Sequence, residues 1–206
     1  RPPRSTLFPY TTLFRSKVAE KVADSLYRKD YISEEEKEIY SYGYEILIDN
    51  IGKTFLLLML GAIIHQFVAT LVFVVVFTTL RSCCGGYHAS KTWQCNLLTV
   101  ILWGIVIVGT YTEAIIKQCE ALAIAIAVVS ELVIYQCAPV EHQNKKLTNE
   151  KKERNRRCAL GLGMLYGILI LLLTFSLTKI AIALALTVLE VVMLMIIPGE
   201  GRSNEP

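Results

Sequence analysis

Long runs of apolar residues, separated by short polar breaks, fill most of the chain after residue 45. A membrane-spanning helix needs about 20 mainly apolar residues, so a run nearly twice that length predicts two spans joined by a turn. The first run is of this kind and is interrupted at His65. The apolar runs cover residues 46 to 80, 96 to 116, 121 to 136, 159 to 177 and 180 to 197. The pattern therefore predicts an all-α polytopic integral membrane protein with about six transmembrane helices.

Residues 17 to 45 follow a different pattern, in which charges separate the apolar positions. Val18, Val22 and Leu26 recur at helical spacing, which predicts an amphipathic helix. Ser33 is followed by three glutamates, as expected for the cap and acidic first turn of a second helix. We expect both helices to lie at the cytoplasmic membrane surface, before a membrane domain over residues 46 to 198.

The two ends of the chain lie outside this layout. Residues 1 to 16 contain no acidic residue, and neither an apolar core nor a small-residue cleavage site follows their arginines, so they do not resemble a signal peptide. Residues 6 to 16, TLFPYTTLFRS, resemble the translation of a common sequencing-adapter oligonucleotide. We therefore interpret residues 1 to 16 as a non-native segment, and residues 199 to 206 as a tail.

Composition supports a membrane protein and gives no indication of a nucleic-acid partner. The chain is 53% hydrophobic with a mean hydropathy of +0.46, above the usual range of soluble domains. Its formal net charge is +3, but three of its basic residues, Arg1, Arg4 and Arg15, belong to the segment interpreted as non-native. Without them the 21 basic residues become 18, which equals the 18 acidic residues.

Positive charge is concentrated in a basic loop over residues 137 to 157, between the fourth and fifth predicted spans. Loops rich in lysine and arginine remain on the cytoplasmic side of a membrane. The third and fourth spans form a hairpin, so the loop over residues 81 to 95 is expected on that same side. Counting spans outward places both chain termini there as well.

The loop between the second and third spans, RSCCGGYHASKTWQC, contains the groups that a cysteine peptidase needs. Cys95 can act as a thiolate nucleophile, and His88 can take up its proton and later return it. Arg81 adds positive charge that favours a thiolate. Gly85 and Gly86 permit a tight turn whose N–H groups can face a developing oxyanion.

The residues alone leave two other interpretations of this loop open. A zinc site could use Cys83, Cys84, His88 and Cys95, although adjacent cysteines rarely direct both sulfurs to one metal. A plain connector with aromatic residues at the membrane interface is also compatible with the pattern. The prediction made here is a site without metal or other cofactor.

The loop also matches a family signature. The signature of the accessory gene regulator B (AgrB-like) family, R-x4-G-x-H-x6-C, is matched by Arg81, Gly86, His88 and Cys95. Two further stretches resemble the family at corresponding places: YQCAPVEHQNKKL before the basic loop, and EEEKEIYSYGYEILIDNIGK at the entry into the membrane. The resemblance covers about residues 17 to 198.

This resemblance implies a membrane cysteine endopeptidase that processes quorum-sensing propeptides in the cell membrane of Gram-positive bacteria. Cys95 would attack a peptide bond of a short AgrD-like propeptide, with His88 as the base. The N-terminal part would remain on Cys95 as an acyl-thioester until a thiol or hydroxyl of the peptide closes a thiolactone or lactone ring. The resemblance also implies a homodimer.

Further candidates have weaker support. Gln94 is a candidate for positioning at the site, and Lys145 and Lys146 are candidates for recruiting an acidic part of the propeptide. Glu190 in the last span is costly in lipid and is expected to face the protein interior or a dimer seam, where substrate binding and structural pairing near an interface are the two uses considered. A non-enzymatic peptide exporter or transport subunit, in which the loop residues are incidental, is the alternative function.

Overall fold

The computed structural model describes residues 9–87, 92–111, 120–140 and 148–197, with side chains described from residue 17 onward and, in the second part, from residue 93. These parts form seven α-helices and contain no β-strand, which confirms the predicted all-α class. The helices are α1 (Pro9–Arg28), α2 (Glu34–Ile63), α3 (Phe67–Cys84), α4 (Thr92–Tyr111), α5 (Glu120–Cys137), α6 (Asn149–Thr174) and α7 (Thr178–Ile196).

Six of these helices, α2 to α7, are long and apolar enough to cross a membrane, as predicted. The chain is therefore a multi-pass membrane protein. The interruption predicted near His65 is also present, because α2 ends at Ile63 and α3 begins at Phe67. His65 itself has a φ of 58°, which lets the chain reverse direction within a few residues.

The start of α2 shows how the local sequence fixes a helix end. The Ser33 N–H donates to the Glu36 carboxylate at 2.9 Å, and the Glu36 N–H donates to the Ser33 hydroxyl at 3.4 Å. This reciprocal pair is a capping box. From there α2 runs unbroken to Ile63, so the boundary expected after residue 45 lies inside one continuous helix. The amphipathic entry and the first span are therefore one rod.

The helix that contains the fifth span begins ten residues before the apolar run that predicted this span. The sequence pattern begins this span at residue 159, whereas α6 begins at Asn149 and takes in much of the predicted basic loop. Glutamate, lysine and arginine are good helix formers, and Arg157 pairs with Glu153 one turn away at 3.5 Å. Hydropathy marks where apolar residues begin and carries no signal for a helix that continues beyond them.

The last helix, α7, lies at the centre of the membrane domain. It contacts α3, α4, α5 and α6. In its most apolar stretch of 18 residues, 61% is buried inside the protein, against 39% or less for the other spans. Small residues such as Ala181, Ala183 and Ala185 are buried along it and let neighbouring helices approach closely. Glu190 is buried here too, as the sequence predicted.

Two clusters of buried apolar residues join α7 to its neighbouring helices. One joins it to α3, α5 and α6 and includes Leu80, Ile134 and Ile170. The other joins it to α2, α3 and α4 around Phe73 and Val106. Because α3 and α7 belong to both clusters, they form the framework on which the candidate site is built.

Candidate functional site

The sequence-predicted site residues that the structure describes converge at one end of the membrane domain. Arg81 lies in the last turn of α3, and the glycine pair follows directly after that helix. Gln94 and Cys95 lie in the first turn of α4 and are half-buried. His88 lies outside the described residues, as do Lys145 and Lys146.

The two glycines at the end of α3 adopt conformations that other residues rarely take. Gly85 has a φ of 72° and Gly86 a φ of 109°. A Cβ atom on Gly86 would lie 2.6 Å from the Arg81 guanidinium and 2.7 Å from the Leu194 carbonyl oxygen. Both the backbone angle and the surrounding space therefore require glycine at this position.

Hydrogen bonds fix the chain as it leaves α3. The Tyr87 N–H donates to the Leu194 carbonyl oxygen at 2.8 Å, and the Val140 N–H donates to the Cys84 carbonyl oxygen at 2.8 Å. Each bond occupies a carbonyl that a helix end would otherwise leave without a partner. The entry to the loop is thereby attached to the end of α7 and to the segment after α5.

Arg81 closes this turn from within. Its guanidinium Nη1 donates to the Gly85 carbonyl oxygen, while the Gly85 N–H donates to the Arg81 carbonyl oxygen at 3.2 Å. Since that N–H is already engaged, Gly86 becomes the better of the two candidates for contacting an oxyanion. Arg81 is also half-buried, so its positive charge lies next to the protein interior.

A polar network that the sequence analysis missed joins α2 to the start of α4. The Lys53 ammonium donates to the Asn96 side-chain oxygen at 3.1 Å and to the Asn50 side-chain oxygen at 3.2 Å. The Asn96 amide in turn donates to the Asp49 carboxylate at 3.1 Å. Asn96 directly follows Cys95, so the network is attached to the backbone that carries the thiol. The cluster IDNIGK within an apolar run was the available signal, since polar residues inside a span indicate a function.

Two cations lie within electrostatic reach of Cys95. An ionised Cys95 would interact Coulombically with the Lys53 ammonium on α2 and with the Arg81 guanidinium on α3. Cys95 also lies in the first turn of α4, where the helix dipole is positive. Both features place positive electrostatic potential next to the sulfur. The position therefore suits a nucleophile.

The remaining cysteines near the site have different surroundings. Cys83 on α3 contacts Cys158 on α6, with their sulfur atoms 2.7 Å apart, whereas the neighbouring Cys84 is fully buried. The zinc alternative requires Cys83, Cys84 and Cys95 to direct their sulfurs to one point. Over residues 17–87, 93–111, 120–140 and 148–197, no group of three or more metal-ligating side chains occurs.

Glu190 is buried on α7, with only 7% of its surface exposed. Neither of its carboxylate oxygens has a hydrogen-bond partner among the described residues. The expectation that it faces the protein interior is confirmed, whereas its use in substrate binding stays a prediction.

Six apolar spans, with a cysteine in a cationic polar site where three of them meet, define a polytopic membrane protein with a candidate thiol centre. The chain belongs to the accessory gene regulator B family, whose model matches residues 19–197. That match begins after the segment interpreted as non-native.

Individual relatives agree with this assignment. The chain is 28% identical over 144 residues to an AgrB-like protein of Clostridium perfringens (strain 13 / Type A), covering 68% of this chain and 65% of that relative. It is 24% identical over 156 residues to an AgrB-like protein of Clostridium acetobutylicum, covering 73% of each. The chain thus spans about two thirds of the length of the first relative. No solved structure gave a significant match.

Proposed function

We propose that this protein is a membrane cysteine endopeptidase that processes a short AgrD-like propeptide into a cyclic autoinducing peptide. The observation that carries the proposal is the convergence of Arg81, Gly86 and Cys95 at one end of the membrane domain, in a chain of the accessory gene regulator B family. His88, which completes the signature, is the proposed base.

The chemistry begins at Cys95. His88 takes the thiol proton, and the resulting thiolate attacks the carbonyl carbon of the scissile peptide bond. The oxygen of that carbonyl becomes an oxyanion, for which the Gly86 N–H and the Arg81 charge are the proposed stabilising groups. His88 then returns the proton to the leaving amine, so the C-terminal part of the propeptide departs and the N-terminal part remains as a thioester on Cys95.

Ring closure uses the same sulfur as a leaving group. A thiol or hydroxyl within the bound peptide gives up its proton and attacks the thioester carbonyl, and Cys95 leaves and is reprotonated. The product is a thiolactone or a lactone. Water would compete for the thioester, so the site has to exclude it. The half-buried position of Cys95 between helices supports this requirement.

The proposal extends to the surroundings of the site. The loop and both termini face the cytoplasm of a bacterial cell, where a newly made propeptide can reach Cys95. Lys145 and Lys146 attract an acidic part of the propeptide, Gln94 positions the peptide, and Glu190 contributes to its binding. Two copies of the chain form a homodimer in the lipid bilayer.

Cleavage of a co-expressed propeptide tests the proposal. The cognate propeptide is produced together with the wild-type protein, Cys95→Ala or His88→Ala, and its products are followed by mass spectrometry. We expect Cys95→Ala to reduce cleavage at least about 1,000-fold, because it removes the nucleophile. The matched control is Cys137→Ala, which removes an exposed thiol at the end of α5 and should leave cleavage within about twofold.

Undiminished cleavage by the Cys95→Ala protein contradicts the proposal. If the peptide then also accumulates outside the cell only when this protein is present, the exporter alternative is favoured. Capture of a peptide on wild-type Cys95 that hydroxylamine releases gives independent support for the acyl-thioester.

A further inference from the structure

We propose that Lys53 is a positioning residue of the thiol centre, and that its ammonium group compensates the charge of the Cys95 thiolate. This inference rests on the proposed function, because it assigns a part of the same site. Its test measures the reactivity of the Cys95 thiol and does not require cleavage of a propeptide.

The first argument is the geometry of the contact between α2 and α4. The Lys53 ammonium reaches across to the Asn96 side-chain oxygen at 3.1 Å, and the Asn96 amide nitrogen reaches back to the Asp49 carboxylate at 3.1 Å. Asn96 uses both ends of its side chain, so its orientation is fixed. The residue before it is Cys95, whose position relative to Lys53 is fixed with it.

The second argument is the location of the charge. Lys53 is half-buried within a helix long enough to span the membrane, where an ammonium group is costly unless it is partnered. Its hydrogen bonds to Asn50 and Asn96 are to neutral oxygens, which solvate the ammonium without neutralising it. The Asp49 carboxylate, four residues earlier on α2, brings one negative charge to the same network, and an anionic sulfur at Cys95 would bring a second within Coulombic reach of Lys53.

Among the described residues, the charged groups near Cys95 lie on α2 and α3. The α2 helix contributes Lys53 and Asp49, and α3 contributes Arg81. The α7 helix also packs against α4 and carries Glu190, whose carboxylate oxygens have no hydrogen-bond partner among the described residues. His88 lies outside the described residues. Arg81 also interacts Coulombically with an ionised Cys95 while its guanidinium donates to the Gly85 carbonyl, so Lys53 is one of two cations near the thiol among the described residues.

A purely structural Lys53 would also join α2 to α4, and two variants separate the roles. Lys53→Gln keeps an N–H donor for Asn96 but removes the charge. Lys53→Arg keeps the charge and the donors. The matched control is Lys37→Met, which removes a positive charge from the same helix about 24 Å away, at 1.5 Å per residue over 16 residues.

The experiment measures Cys95 alkylation by iodoacetamide as a function of pH, on the full-length protein in lipid nanodiscs, with peptide-resolved mass spectrometry. We expect the midpoint of the profile to move up by about one pH unit in Lys53→Gln, because one nearby cation shifts an ionisation by about that amount. That shift corresponds to an about tenfold slower reaction at neutral pH. Lys53→Arg and Lys37→Met should stay within about 0.3 unit of the wild type.

Equal profiles for Lys53→Gln, Lys53→Arg and the wild type overturn the inference, whether or not the propeptide is cleaved. If Lys53→Gln does not fold, Lys53→Met takes its place: we expect the same upward shift, and an unchanged profile overturns the inference. The proposed function fails separately, when Cys95→Ala still cleaves the propeptide, and the alkylation profile still decides the role of Lys53.

Discussion

Two regions at the same end of this protein each contain a reduced cysteine, but the surroundings of the two cysteines differ. Cys95 lies in the first turn of α4, near polar and cationic side chains from α2 and α3. Cys83 ends a helix and contacts a second thiol, Cys158, across to α6. A sulfur beside cations at a helix start is suited to attack, whereas two touching thiols are suited to pair with each other. The comparison makes Cys95 the candidate nucleophile because of its surroundings, and not because of the number of cysteines in the chain.

The largest expected effect comes from breaking the Cys95 region at its glycine turn. Gly86→Ala places a methyl group against the Arg81 guanidinium and the Leu194 carbonyl oxygen at a φ of 109°. We expect propeptide cleavage to fall at least about 100-fold, because a misplacement of about 1 Å at a reactive centre can have this effect. The measurement is the rate of cleavage in membranes.

The control for this substitution is Gly161→Ala on α6, where an added Cβ meets no atom within 4 Å. The same chemical change there should leave cleavage within about twofold and make the helix slightly more stable. If both substitutions reduce cleavage equally, the glycine turn has no special role.

The second region should form a disulfide readily. Diamide takes up the two thiol hydrogens and is reduced to the hydrazine, so Cys83 and Cys158 become joined without further reagents. Because their sulfurs already lie in contact, we expect most of the protein to carry this bond after brief treatment. Non-reducing peptide mass spectrometry identifies the linkage. A bond from Cys95 to either of these cysteines, formed in preference, would contradict the separation of the two regions.

A smaller effect distinguishes Cys95 from an ordinary exposed thiol. Cys137 ends α5 near the same end of the protein and is more exposed than Cys95. We expect Cys95 to react with iodoacetamide about tenfold faster at pH 7 despite its lower exposure, because cations from α2 and α3 lie within electrostatic reach of it. Peptide-resolved rates check this directly. Faster reaction of Cys137 would mean that access outweighs charge.

The smallest effect is expected at Glu190, which belongs to neither of the two cysteine regions. Glu190→Gln keeps the size and shape of a side chain that is buried without a hydrogen-bond partner among the described residues. We expect the alkylation rates of Cys95 and Cys158 to change by less than about twofold, since no contact of either thiol is altered. A larger change at Cys95 alone would bring Glu190 into the charge balance of the site.

The sequence predicted the membrane architecture because apolar length is a local property. The run from residue 46 to 80 is too long for one span, and its break at His65 is visible in the chain. The candidate loop could also be identified from the sequence, since Arg81 and Cys95 lie close together in the chain. Family membership then confirmed the resemblance carried by those residues.

The contacts that give the site its character could not be predicted in this way. Lys53 and Asn96 lie 43 residues apart, and Cys83 and Cys158 lie 75 apart. No local pattern indicates which polar residues of different spans meet, because the meeting depends on how the helices pack around α7. The early start of α6 was missed for another reason, since charged residues continue a helix without any change in hydropathy.

The position of α7 also sets an order of assembly. A chain is synthesised from its N-terminus, so α3 to α6 are made before α7, which contacts all four of them. The Leu194 carbonyl that receives the Tyr87 N–H arrives with the last turn of that helix. The turn before Cys95 therefore gains its hydrogen bond to α7 only after that helix has been made.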